Sequence, residues 1–335
     1  LLVIMSQVIN EGYNLTNTMI ISDVGGTNGR FAIAHANSDG SLDHISHIKV
    51  FQCRDFNTFT DMLDAFINSL DIPIPKSARL AIAGEMTKRD GILWHFQWQI
   101  NADKLEEKYN FDNVTLLNDY EALVYSIPHL KDEDLFTITD FSKGQKNAPY
   151  SVFGLGSGLG GAIGAPHEKG LSVIPTEIGH ISFAPKTDEQ IELLNYLNKS
   201  LEHVSIETLL SGIGIKRIYE FLLFKNNINS SNFTPPEITQ KAIERSDEIA
   251  LKCLELLFSI LASTAGDIAV SQGAKGGIYI GGGIVPKIIS QLKADQFVER
   301  FCDKGPMRDY NQKIPIHIII SDMPALIGSF SSKNA

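Results

Sequence analysis

The sequence predicts two related α/β domains facing one another. Three observations lead there. The chain has 335 residues, beyond the length at which one hydrophobic core keeps growing, so two cores are expected. A strand–glycine turn–strand unit occurs twice, at Met19–Ala36 and Tyr150–Ala165, at the head of each half. Strand-like and helix-like apolar runs follow each unit, as layered sheet-and-helix domains require.

The first unit reads as a strand at Met19–Ser22, a glycine-rich turn at Asp23–Gly29 and a strand at Arg30–Ala36. Lys49–Arg54 and Arg79–Ala83 read as strands, and Phe59–Leu70 as a helix. Val114–Asn118 is a strand ending in Asn118-Asp119, before a helix-like EALVYSI run. Turn residues and charge crowd Pro128–Tyr150, which suits a domain junction. The second unit has strands at Tyr150–Gly154 and Gly161–Ala165 around the turn Leu155–Gly160. The Pro235-Pro236 pair reads as polar loop after Lys225–Asn232. Ser246–Gln272 has the length of a long helix. Gly277–Ile280 is a strand, Gly281–Gly283 a turn and Val285–Leu292 a helix with Pro286 in its first turn. Ile314–Ile320 is a last strand, and Pro324–Phe330 opens a terminal helix.

Composition limits the partners. A hydrophobic fraction of 43% and a charged fraction of 20% describe an ordinary globular chain. The net charge of −10 argues against nucleic acid, which needs a basic face. It does not exclude a small phosphorylated ligand held by backbone N–H groups. Cys53, Cys253 and Cys302 are scattered and odd in number, so no zinc site or disulfide framework is expected and a reducing cytoplasm fits. Residues 1–18 read as an N-terminal lead, partly non-native, with Met5 a candidate natural start. The apolar stretch at Leu256–Val270 is shorter than the roughly 20 residues of a membrane span and reads as a buried helix, so no membrane partner is expected.

Several segments carry chemistry. In Asp23-Val-Gly-Gly-Thr-Asn28, paired glycines let successive N–H groups form an anion nest, and Asp23 suits Mg²⁺, directly or through water. Alone, the turn equally suits a solvent-exposed hairpin. Gly154–Gly161 holds five glycines in eight residues, which weakens folding for no evident packing benefit and favours close approach of a phosphate, with Ser157 adding a hydroxyl. Its GxGxxG spacing at Gly156–Gly161 suggests a dinucleotide fold, but the following AIGAP is strand-like and ends at Pro166 where that fold needs a helix. Gly281–Gly283 is a third nucleotide-like turn, or a plain strand–helix connection. Asn118-Asp119 ends a buried strand, where α/β proteins place ligand contacts, though Asp119 equally suits a helix cap. Glu177-Ile-Gly-His180 sets a carboxylate and an imidazole beside a glycine. Glu207 is either a ligand contact or a favourable charge at a helix N-terminus.

These pieces match one family in one order. From Ile20 to Phe330 the chain resembles bacterial-type glucokinases of the actin/hexokinase/heat-shock chaperone ATPase superfamily, through DVGGTNGRFA, LLNDYEA, GLGSGLGGA, EIGHISFAP, HVSIETLLSGIG, AGDIAVSQGAKGGIYIGGGIVPKI, DKGPMRD and KIPIHII. The resemblance implies an α/β fold of two actin/ribonuclease H-like domains flanking a cleft: a small domain of residues 19–129 plus 321–335 and a large domain of 130–320. It implies ATP-dependent phosphorylation of glucose at the 6-hydroxyl, with ATP and Mg²⁺. Asp119 is then the general base, for which a carboxylate of ordinary pKa suffices if the hydroxyl becomes acidic late. Asn118, Glu177, His180 and Glu207 hydrogen-bond the sugar. Asp23, Gly25, Gly26, Thr27 and Asn28 with Gly156, Ser157 and Gly158 hold phosphates and Mg²⁺, and Gly281, Gly282 and Gly283 line the adenosine. A cytoplasmic homodimer is expected on the same ground.

The chain departs from the family pattern at Glu85, His95, Ile178, Ile213 and Pro306, of which Glu85, His95 and Ile178 bear on sugar preference. Two other readings compete. A kinase of the repressor/open-reading-frame/kinase group often carries a cysteine-rich zinc motif after its Glu-x-Gly-His segment, whereas ISFAPKTDEQ follows His180 here. A non-catalytic sugar sensor usually adds a basic helix-turn-helix, and the lead before Ile20 has no Lys or Arg.

Overall fold

The computed structural model describes residues 17–87, 89–139, 144–229 and 232–332. The N-terminal lead therefore lies almost wholly outside the described residues, Met5 included. The chain divides into two compact units, residues 1–129 with 323–335, and residues 130–322.

In the first unit, β1 (Thr18–Val24), β2 (Asn28–Ala36) and β3 (Leu42–Gln52) form an antiparallel meander. Next to β1, β4 (Ser77–Ile82) and then β8 (Asn113–Asn118) add in parallel, giving the order β3-β2-β1-β4-β8. A small sheet of β5 (Gly84–Met86), β6 (Asp90–Leu93) and β7 (Trp98–Asn101) lies between them in sequence. Strand alternation divides the side chains between two faces. Ile20, Phe31 and Ile33 meet the helix Phe59–Asn68 on one face, with Phe31 and Phe66 rings 5.4 Å apart. That helix buries Phe59, Met62, Leu63, Phe66 and Ile67, the spacing of a single apolar stripe, and starts at a capping box of Thr58 and Asp61. Ile21, Ala32 and Ala34 on the opposite face bury Leu326 and Phe330 of the terminal helix Pro324–Ser331. This apolar contact, with Ser329 donating to the Ser22 carbonyl at 3.0 Å, ties the chain's end to its first strand.

The second unit repeats the design. Here β10 (Tyr150–Leu155), β11 (Leu159–His167) and β12 (Gly170–Thr176) form the meander. On the other side of β10 come β13 (Gly277–Gly281) and β14 (Ile316–Ile319) in parallel, with β9 (Leu135–Thr137) antiparallel at the edge. The order β12-β11-β10-β13-β14-β9 matches the first sheet with one strand added. Each sheet thus has the strand order of an actin/ribonuclease H-like domain, as the family resemblance implies.

Several expectations are corrected. The first turn shrinks to Gly25–Thr27 and the second to Gly156–Gly158, because the strands pair right up to the loop tips. After the second turn comes β11, a strand that runs through Pro166 to His167, so no dinucleotide-type helix follows. Pro235 and Pro236 do not lie in loop but open the helix Pro235–Ile243, where a missing N–H leaves no bond unmade. The helix Glu248–Ser271 is 24 residues, long and apolar enough to cross a membrane, so length is no argument against a span. Its burial is: Cys253, Leu257, Leu261 and Ala265 pack into the core of the second unit.

Candidate active site

The residues singled out from sequence fall in two groups, one in each unit. In the first unit, the parallel register sets Val24 of β1 beside Ile82 of β4 and Ile82 beside Asn118 of β8. Asp23, the Gly25–Thr27 turn and Asn118-Asp119 therefore share one end of the sheet, beyond its parallel C-terminal edges, the usual ligand end of open α/β sheets. Gly25 donates to the Asn28 carbonyl at 2.9 Å, and Cys53 receives the loop from behind, its N–H bonding the Thr27 carbonyl at 2.9 Å.

Asn118 and Asp119 have distinct tasks. The Asn118 side-chain oxygen accepts the Tyr120 N–H at 2.9 Å, its amide donates to the Gly84 carbonyl at 3.0 Å, and Glu121 completes a capping box. Asn118 is thus the helix cap, a role that sequence left open for Asp119. The half-buried Asp119 carboxyl accepts the Tyr120 N–H at 3.1 Å and lies within reach of the Asn118 side chain. Burial, reinforced by the negative charge of Asp23, pushes its pKa to about 7. The expectation of an ordinary carboxylate is corrected on this point.

Asp23 has a partner that sequence reading missed. Arg30 lies directly opposite in the β1–β2 ladder and donates to the Asp23 carboxylate at 3.0 Å. Burial raises the Asp23 pKa, and the Arg30 charge opposes that rise. The hairpin register could have revealed the pair, since the four-residue connection Gly25–Asn28 between Val24 and Gly29 sets residues 23 and 30 face to face.

In the second unit, the glycines separate by what surrounds them. At Gly154 a Cβ would meet the Gly281 backbone at 2.5 Å where β10 and β13 pass, and at Gly161 it would meet the Ile178 side chain at 2.9 Å. Gly282 has φ +86° and abuts the Leu155 backbone. These glycines serve the fold, so the expectation that the run brings no packing benefit is corrected. By contrast Gly25 and Gly156 would meet nothing closer than 3.9 Å and 4.0 Å, and Gly283 nothing within 4 Å. No chain atom requires glycine there, which leaves room for a ligand to approach the backbone.

Glu207 joins the second group through a bond rather than a helix charge. Its carboxylate accepts the Leu159 N–H at 2.7 Å, just past the Gly156–Gly158 turn. Its own N–H donates to the Gly179 carbonyl at 3.0 Å, inside Glu177–His180. The Glu177 and His180 side chains are exposed, Glu177 just before the short 3-10 turn Ile178–His180 and His180 at its end. Ile178, a departure from the family pattern, is buried in the core against Gly161 rather than presented to a ligand.

The donor set also bears on Mg²⁺. Among the described residues no three His, Cys, Asp or Glu side chains converge as a metal cage. Asp23, with Asp119 in its field, fits a cation that takes one or two carboxylates and completes its shell with phosphate and water.

The sequence profile of the glucokinase family matches residues 20–334. The chain belongs to the glucokinase family. The glucokinase of Saccharophagus degradans is 32% identical over 313 residues, covering 92% of this chain and 96% of that protein. The crystal structure of glucokinase from an Antarctic psychrotroph is similar with a TM-score of 0.83 at 30% identity, over 94% of this chain and 98% of that one. The glucokinase of Balamuthia mandrillaris, solved in complex with glucose, shares the fold at a TM-score of 0.78 and 20% identity, over 94% and 92% of the two chains. Within this family the two strand–turn–strand units and their sheets are the shared frame, and the chain is an enzyme of the glucokinase type.

Proposed function

We propose that this protein transfers the γ-phosphoryl group of ATP to the 6-hydroxyl of D-glucose, giving glucose 6-phosphate and ADP, with Asp119 as general base. The observation that carries this reading is the Asp119 carboxyl: half-buried, at the ligand end of its sheet, and relieved of capping by Asn118. A carboxylate with a pKa near 7 is a stronger base than an ordinary one while still about half ionised at neutral pH. It takes the hydroxyl proton as the sugar oxygen bonds to the γ-phosphorus and the bond to the bridging oxygen of ADP breaks. Phosphoryl transfer asks mainly for alignment and charge neutralisation, which family membership and the open turns at Gly25 and Gly156 both support.

The remaining roles follow the donor and acceptor chemistry of each group. Asn118, Glu177, His180 and Glu207 hydrogen-bond the ring hydroxyls. Asp23, Gly25, Gly26, Thr27 and Asn28, with Gly156, Ser157 and Gly158, take the phosphates, and Gly281–Gly283 line the adenosine. Mg²⁺, held by Asp23 through water, neutralises phosphate charge when bound. The three buried, unpaired cysteines suit a reducing cytoplasm, and a homodimer is part of the proposal.

The test is a panel of hexoses and N-acylhexosamines assayed for ADP release with ATP and Mg²⁺, using Asp119→Ala as control. Glucose should give the highest kcat/KM, and the variant should lose about 10²–10⁴ in kcat, the usual range for a missing general base. A higher kcat/KM with another sugar moves the substrate. Sugar binding without turnover makes the protein a sensor.

A further inference from the structure

We propose that Glu207 is a positioning residue for the nucleotide, holding the Gly156–Gly158 turn in its phosphate-receiving form before any sugar is bound. This rests on the reading of that turn as a phosphate site. Sugar contact alone would need only a carboxylate aimed at a ligand, but Glu207 is committed to the chain itself.

Four contacts converge on it. One carboxylate oxygen accepts the Leu159 N–H at 2.7 Å, fixing the first residue after the turn. The same oxygen fills the space beside Gly158, so that a side chain there would overlap the carboxylate. The Glu207 N–H bonds the Gly179 carbonyl at 3.0 Å, and its carbonyl accepts the Ser211 hydroxyl at 2.8 Å. Ser211 caps the helix Gly212–Lys225, whose first N–H donates to the Gly156 carbonyl at 3.0 Å. The turn is therefore gripped on both flanks, at Gly156 through the helix start and at Leu159 through the carboxylate.

The physical consequence concerns order. A Gly-Ser-Gly turn has many loop states available, and a phosphate must select one of them. A charge-assisted bond at one flank narrows that choice beforehand, which strengthens binding without a direct contact. Among the described residues the second carboxylate oxygen accepts no hydrogen bond, and a sugar hydroxyl reaching it would polarise the same carboxylate that holds Leu159. Sugar and nucleotide would then strengthen each other's binding through this one side chain.

The experiment measures affinity for the magnesium complex of the non-hydrolysable ATP analogue AMPPNP by calorimetry, with no sugar present. Loss of one charge-assisted hydrogen bond should weaken it by about tenfold in Glu207→Ala. Glu207→Gln, whose amide oxygen still accepts the Leu159 N–H but without the charge, should weaken binding by only about threefold. Unchanged affinity in Glu207→Ala overturns the proposal, because a residue serving only the sugar has no effect without it. Amide exchange at Leu159 reads the grip directly. Faster exchange in Glu207→Ala supports it even if the wild type binds no nucleotide, an outcome that rejects the phosphate-site reading instead. Equal exchange in both proteins overturns it. If Glu207→Ala folds poorly, Gly158→Ala, which displaces the carboxylate from the opposite side, should reproduce the faster amide exchange at Leu159.

Discussion

Asn118 caps the helix that Asp119 begins, its side-chain oxygen 2.9 Å from the Tyr120 N–H. One residue satisfies the helix terminus, and the next keeps its carboxyl for chemistry. With a pKa of about 7, that carboxyl is half protonated at neutral pH. Activity should therefore rise with pH through about 7, with the limiting acid slope of a single ionisation in kcat/KM for the sugar. The stability effect runs the other way. The folded pKa lies above the ordinary 3.8, so this group's contribution is fully present below about pH 4 and lost as pH rises through 7. Asp119→Asn should abolish most activity yet flatten the loss of thermal stability between pH 5 and 8, read by melting curves.

The cap itself predicts a different phenotype. Asn118→Ala removes the bond to Tyr120 and the one to the Gly84 carbonyl. A lost cap costs about 1 kcal/mol, so the variant should melt measurably lower while circular dichroism stays native. An Asp119 variant should leave the cap intact and show no comparable fall at pH 5, which separates the two neighbours.

How much of this was legible in the chain depends on range. The two hairpin units, the long helix and the final strand announce themselves through glycine and apolar runs, which are local signals. Strand β3 was recognised only at its end, because an edge strand with polar stretches such as Asp43-His44 lacks a clean apolar alternation. Pro235-Pro236 misled because proline marks both loops and helix starts, and only the Thr234–Glu237 capping pair distinguishes them. Asp23, Asn118, Asp119 and Glu207 could be singled out as candidates from their surroundings in sequence. That Glu207 meets Leu159 across 48 positions could not, since nothing local encodes the approach.

The Asp23–Arg30 pair yields a third prediction. Arg30 opposes the burial that raises the Asp23 pKa, so Arg30→Gln should raise it further. A group with a raised folded pKa is destabilising as pH climbs from its unfolded value through the folded one, and the variant should lose most stability at the alkaline end of that window. A weaker anion at Asp23 should also increase KM for MgATP, on the order of tenfold, the worth of one charge-assisted bond. Arg30→Lys retains the charge and should recover much of both. Equal pH–stability curves for wild type and Arg30→Gln would remove the ion pair from the account.

Adjacent glycines give the sharpest contrast. Gly282 adopts φ +86° and lies against the Leu155 backbone, so an alanine there meets both strain and overlap. Gly283 has nothing within 4 Å of an added Cβ and lies outside the positive-φ set. Gly282→Ala should therefore destabilise the protein by about 1–3 kcal/mol in urea denaturation, with nucleotide binding falling as the fold weakens. Gly283→Ala should unfold within about 0.5 kcal/mol of wild type. If the adenosine lies along Gly281–Gly283, its methyl intrudes on the ligand, and KM for ATP should rise while KM for glucose does not. An unchanged KM for ATP in that stable variant would place the adenosine elsewhere and leave Gly283 as a plain turn.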